Sequence, residues 1–238
     1  MARDTGRQAG SNGSSTAQIR GTVAREAFRV ELDAITGSLV EMTHLVGSAM
    51  SRATTALLDA DLQLAESVIG ADEIVDALYH EVEERALELL ARQSPVASDL
   101  RVVVTSLRMV ADLERMGDLA LHVAKVARRR YPASAIPPEL RSTMLELGQV
   151  AQDIVVKAGS VISSRDLTMA GELESDDDVM DGLHRRLFSL MLGDAFSGGV
   201  EGAIDIALCG RYYERFADHA VSVARRVVFL VTGVRITA

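Results

Sequence analysis

Tryptophan is absent from this 238-residue chain, and aromatic residues make up only 4% of it. Strand-rich folds draw on aromatic and β-branched side chains, whereas Ala, Leu, Met, Glu and Arg favour helices. The shortage of aromatics therefore argues against a β-sheet protein. Cys209 is the single cysteine, which excludes an internal disulfide and any cysteine-based zinc site. It lies in the apolar stretch Ile204 to Cys209 and reads as a small core residue. No apolar run approaches the ~20 residues a bilayer demands, and the N-terminus lacks the apolar stretch of a signal peptide. A cytoplasmic location is the expectation. Basic charge is also short: the net charge is −9, and residues 1–25 hold four Arg against one Asp, so the remainder is more acidic still. General nucleic-acid binding, which needs cations to replace counterions, is disfavoured. No phosphate-cradling Gly-rich loop, nucleophile motif or paired acid–base site stands out.

What is present is helical periodicity. Residues 1–25 are rich in Gly, Ser and Arg, lack an apolar period, and read as a disordered tail. From Glu26 the texture changes. Phe28, Leu32, Ile35, Leu39, Met42, Val46, Ala49, Ala53 and Ala56 follow four–three spacing, the seam of an antiparallel bundle. Asp61 is placed to cap a second helix, which carries Leu64, Val68, Ala71, Val75, Leu78 and Val82 to about Arg92. Ser94-Pro95 supplies a cap and first-turn proline for a third helix. Three prolines within Tyr131 to Pro138 end that helix near Arg130.

The pattern then repeats. A shift of 105 residues places Leu39 on Met144, Val46 on Ala151, Asp61 on Asp166, Val75 on Met180 and Val82 on Leu187. A shift of 100 carries Leu113-Glu114-Arg115-Met116-Gly117-Asp118 onto Tyr213-Glu214-Arg215-Phe216-Ala217-Asp218. The expected fold is all-α: two tandem antiparallel three-helix bundles related by internal duplication. Their expected bounds are 26–130 and 139–234, with residues 131–138 as linker.

Carboxylates interrupt the seams. Glu114 and Glu214 occupy core-register positions, each followed four residues later by an aspartate, Asp118 and Asp218. Asp72 and Asp76 are four apart on the second helix, and the shift of 105 places Asp177 and Asp181 beneath them. Counted from the intervening turns at ~1.5 Å per residue, each antiparallel hairpin brings its four acids to one level. Oxygen ligands converging at one height suit a hard or borderline cation. A salt-bridge network with Arg108, Arg115, Arg211, Arg215 or His122 is the plainer alternative. Glu41 and His44 have the Glu-x-x-His spacing of di-iron bundles but no second copy, and His80 and His184 read as solvated or ion-paired. The cations Lys125, Arg128, Arg129, Arg130, Arg225 and Arg226 suit the ends of their helices, or form a docking patch.

The segments Leu113 to Ala124 and Tyr213 to Ala224 resemble the paired Glu-Arg-Ile-Gly-Asp-His signatures of PhoU proteins, and Arg226 to Gly233 is similar to that family's ending. The resemblance runs from about Phe28 to Gly233. It implies a non-enzymatic negative regulator of phosphate uptake and of the phosphate-starvation response. Such a regulator acts as an adaptor between a phosphate-importer ATPase and the sensor histidine kinase of a two-component system, and forms a homodimer. It also implies multinuclear iron or zinc on Asp72, Asp76, Glu114, Asp118, Asp177, Asp181, Glu214 and Asp218. Leu119 replaces the histidine of the first signature and Ala217 the glycine of the second; His219 is retained. A carboxylate-bridged metal protein with redox or storage activity is the competing expectation.

Overall fold

The computed structural model describes the backbone of residues 12–93 and 98–234, and side chains over 25–92 and 98–234. Six helices run in chain order: α1 (Asn12–Asp59), α2 (Leu62–Gln93), α3 (Ser98–Arg130), α4 (Arg141–Ser164), α5 (Leu167–Met191) and α6 (Gly199–Thr232). A single 3₁₀ turn, Pro138–Leu140, precedes α4. Among the described residues there is no strand.

The tail assignment requires correction. Residues 12–25 have helical backbone and belong to α1, while residues 1–11 lie outside the described part. Composition marked the stretch as tail because it lacks an apolar face. Helix propagation needs none, since each added residue gains one hydrogen bond on a nucleus already formed. The Ser94-Pro95 cap lies outside the described residues.

The seams read from the sequence are the cores of the helices. Ile35, Leu39, Met42, Val46, Ala53 and Ala56 are buried on α1, Val68, Val75 and Val82 on α2, and Met144, Leu147, Ala151 and Ile154 on α4. Asp61 accepts the backbone N–H of Leu64 at 2.9 Å, and Asp166 accepts those of Thr168 and Met169 at 2.8 and 3.2 Å. The duplicated aspartates thus cap the duplicated helices, each satisfying donors that the first turn leaves orphaned. The segment between the halves is anchored rather than loose: Ala135 and Ile136 are buried, and Arg141 donates to the Leu58 carbonyl at the end of α1.

Each half is a three-helix bundle, and the two pack side by side along their length. Helix α1 lies against α4 and α3 against α6, while α2 and α5 stay on the outside. One hydrophobic core runs through both halves. The α1–α4 contact is antiparallel and close. A Cβ on Gly148 would sit 2.6 Å from Thr54 Cγ2, and one on Gly159 would collide with the Thr43 side chain. The shift of 105 maps Thr43 onto Gly148 and Thr54 onto Gly159. The two contacts are therefore exchanged by the pseudo-twofold that relates the bundles. Tyr213, fully buried on α6, reaches across to Thr54 with a 2.7 Å hydroxyl hydrogen bond.

Candidate functional site

The four acids of the first half come together where α2 meets α3. Gly117 makes room: a Cβ there would lie 3.2 Å from Val75 Cγ1 and 3.4 Å from Asp72 Oδ1. Helix α2 thereby sets Asp72 against the turn of α3 that carries Glu114 and Asp118. Glu114 is 26% exposed and Asp118 32%, so neither is sealed in the core despite its seam register. Partial burial raises the Glu114 carboxyl above its ordinary value, and Asp118, Asp76 and Asp72 push it further up. Asp72 is raised in the same way, by burial first and then by Asp76 and Asp118; Lys125 and His122 pull the other way. Arg115 bonds Asp118 at 2.8 Å and approaches Glu114 at 3.8 Å.

The second half repeats the arrangement with more repulsion. Asp177 is pushed up to about 6 by burial together with Asp218, Asp181 and Asp178. Asp218 is raised by burial and by Glu214, opposed by Arg211 and Arg215. Glu214 pairs with Arg211, and the His184 Nδ1 stands 3.8 Å from it. Ala217, fully buried, occupies the place that Gly117 leaves open in the first half.

Like charges held together on facing helices at this energetic cost are what a cation would relieve. The side chains as placed do not form an ion cage. Among the described residues, no three carboxylate, histidine or cysteine groups converge so that one ion could be held. Each cluster stands as a divided set, two acids per helix, cross-linked locally by arginine. Glu41 and His44 face solvent, and His80 is exposed beside Glu83 at 3.8 Å. Buried Cys209 is unreactive, its thiol pushed up to about 12 by burial and by Asp205.

Two charged assemblies at the bundle interface were not anticipated from the sequence. Asp112 on α3 is buried and accepts from Arg226 Nε at 2.6 Å, with His219 Nδ1 at 3.1 Å, both on α6. Burial favours the protonated acid there, but the hydrogen bonds from His219 and Arg226 outweigh it and hold Asp112 below its ordinary value. Asp205 on α6, also buried, pairs with Arg129 and Arg130 at the end of α3. The basic residues that suited helix ends thus have specific partners. Arg128 and Arg225 bind Glu66 and Glu174 on the outer helices, while Arg129, Arg130 and Arg226 tie one bundle to the other. Asp112 and Asp205 carry no motif. Their only sequence signal is an aspartate flanked by apolar residues, Ala111 and Leu113 in one case and Ile204 and Ile206 in the other.

Comparison with known proteins matches the PhoU domain twice, over residues 39–127 and 144–227. This chain belongs to the PhoU family. Among its relatives is the phosphate-specific transport system accessory protein PhoU homolog 2 of Mycobacterium tuberculosis. That protein is 49% identical over 209 residues, covering 88% of this chain and 98% of the relative. PhoU homolog 1 of Mycobacterium leprae is likewise 49% identical, over 88% of this chain and 94% of its own. The crystal structure of PhoU from Pseudomonas aeruginosa superposes with a TM-score of 0.78 at 30% identity, covering 87% of this chain and all of that one. PhoU of Streptococcus pneumoniae, at 23% identity and the same TM-score, shares the fold. Both PhoU domains contain their four acids, and the two domain matches fall on the two bundles. No helix among the described residues is long and apolar enough to cross a membrane.

Proposed function

We propose that this PhoU protein is an accessory regulator of phosphate transport that restrains phosphate uptake and the phosphate-starvation response when phosphate is plentiful. It acts without catalysis, in the cytoplasm and as a homodimer, as an adaptor that contacts the importer's ATPase subunit and the sensor histidine kinase. The observation that carries this reading is 49% identity along nearly the whole of relatives named as accessory proteins of the phosphate-specific transport system. The net charge of −9 supports protein partners over nucleic acid. Deleting the gene should raise expression from phosphate-starvation promoters in phosphate-rich medium, and tagged protein should capture the ATPase subunit or the kinase. Unchanged repression, together with capture of neither at high or low phosphate, removes the proposal.

Iron or zinc at the two acid clusters belongs to the same proposal. What supports it is the donor chemistry: hard oxygen ligands whose mutual repulsion a cation neutralises. Side chains must rotate to bring three donors onto one ion, so the clusters are not pre-formed sites. Protein purified without chelator should carry iron or zinc that Glu114→Ala and Glu214→Ala each reduce. Metal-free wild type would leave the acids as ion-pair partners only.

A further inference from the structure

Between α2, α3 and α6, beside the first acid cluster, lies a cavity of about 430 Å³ whose lining holds three arginines and two acids. Arg108, Arg115 and Arg226 all border it. Its volume falls within the ~300–1,000 Å³ typical of small-molecule sites.

Of the two acids in the lining, Asp112 is fully engaged and Glu114 only loosely, since Arg115 gives its hydrogen bond to Asp118. Asp112 accepts from Arg226 and His219, and Glu114 faces Arg115 at 3.8 Å. The cations are not equally consumed. Arg108 is exposed and makes no hydrogen bond or ion pair with any described residue, and among those residues Arg226 is hydrogen-bonded through Nε alone. The Asp112–Arg226 bond fixes at the bundle interface a guanidinium that borders the cavity and whose Nη groups the bond does not use. A pre-oriented guanidinium beside a free one is the donor arrangement that phosphate-type oxyanions take, through paired N–H bonds. Tyr79 and Leu107 add a less polar wall.

The duplication supplies an internal control. The shift of 100 replaces Arg108 by Leu208, Asp112 by Tyr212 and Arg226 by Val126, and puts Arg211 where Ala111 stands, while Glu114 and Arg115 keep their counterparts Glu214 and Arg215. The residues common to both halves are those of the acid clusters. Arg108, Asp112 and Arg226 have no such counterparts, and they join Glu114 and Arg115 around the cavity. The pairing of an arginine on α3 with one on α6 at this level therefore does not follow from the requirements of the bundle, which the equivalent positions meet with Leu208 and Val126.

We infer that this cavity binds a phosphate-type oxyanion, with Arg108 and Arg226 as its principal donors and Arg115 at its edge. The source is inorganic phosphate or the phosphoryl group of a small phosphorylated molecule seated against Tyr79 and Leu107. Why phosphate should be read here rests on the regulatory proposal above; the donor geometry does not.

Calorimetric titration of the full chain with inorganic phosphate, pyrophosphate and ATP, at low ionic strength with sodium chloride as control, tests it. Saturable binding of at least one is expected, weakened about tenfold or more by Arg108→Gln, the loss of a charged hydrogen-bond donor. Arg128→Gln, which removes an equal charge far from the cavity, should leave binding unchanged. Equal affinity for phosphate and ATP identifies the free ion as ligand, and a preference for ATP identifies a phosphorylated molecule. Binding of none of the three overturns the inference, as does equal weakening by Arg108→Gln and Arg128→Gln. Circular dichroism confirms that the exposed Arg108→Gln variant is folded. Because the regulatory proposal is read in cells from starvation promoters, either idea fails without the other.

Discussion

Asp177 lies on α5 beside Asp181 and Asp178 and faces Asp218 of α6, and burial among these acids pushes its carboxyl up to about 6. A folded-state value above the unfolded one means that the native state binds more protons between about pH 4 and 6. The stabilising contribution of this carboxyl is complete below pH 4 and is lost as pH rises through 6. Because the site is partly exposed, the penalty at pH 7 is discounted to about 1 kcal/mol. Asp177→Asn should therefore raise the melting temperature at pH 7 by ~2–4 °C, and the gain should vanish by pH 4. A variant that melts like the wild type at pH 7 would show that the acids repel one another less than their placement implies. Glu114, also an acid in seam register, is tolerated because its side chain stays a quarter exposed.

At the scale of elements, the closeness of α1 and α4 depends on threonine side chains set into glycine gaps. Gly148→Ala should cost about 1–3 kcal/mol, since the new methyl would lie 2.6–3.0 Å from three atoms of Thr54 inside a packed interface. Gly37 on α1 is the contrast, with open space around it. Gly37→Ala should stabilise by about 0.5–1 kcal/mol through reduced backbone freedom in the unfolded chain. Denaturant melts of the two variants separate the effects, and equal responses would refute the close-packed interface. The helices themselves were legible from spacing because burial of one stripe is a local periodic demand. Asp61 and Asp166 were legible as caps for a similar reason, their partners being three residues or fewer away. The start of α1 was not, because residues 12–25 have no apolar stripe to announce a helix that simply continues backward.

At the scale of the molecule, the two bundles share one core and are cross-tied by Asp112 and Asp205. Arg226→Met leaves Asp112 buried with only His219, and should cost about 3 kcal/mol, the consequence of an under-compensated buried charge. Replacing both partners, Asp112→Leu with Arg226→Met, should recover much of that loss, because an apolar pair needs no compensation. Chemical denaturation of the single and double variants measures the difference. A double variant as unstable as the sum of its singles would mean that the pair is not coupled. Asp112 and Asp205 were invisible as interface residues because an aspartate flanked by apolar residues is ordinarily solvated. Only the docking of α6 on α3 removes the water.

Apolar spacing and capping, which depend on residues a few turns apart, were enough to determine the helices, the offset repeat showed that they form two related bundles, and the paired signatures at Glu114 and Glu214 carried the family resemblance. Tertiary structure alone decided that the bundles lie along each other, that arginines near the ends of α3 and α6 neutralise buried aspartates, and that Arg108, Arg115 and Arg226 border one cavity. Those features arise between α1 and α4 and between α3 and α6, where contacting residues stand about 100 positions apart and no periodicity links them.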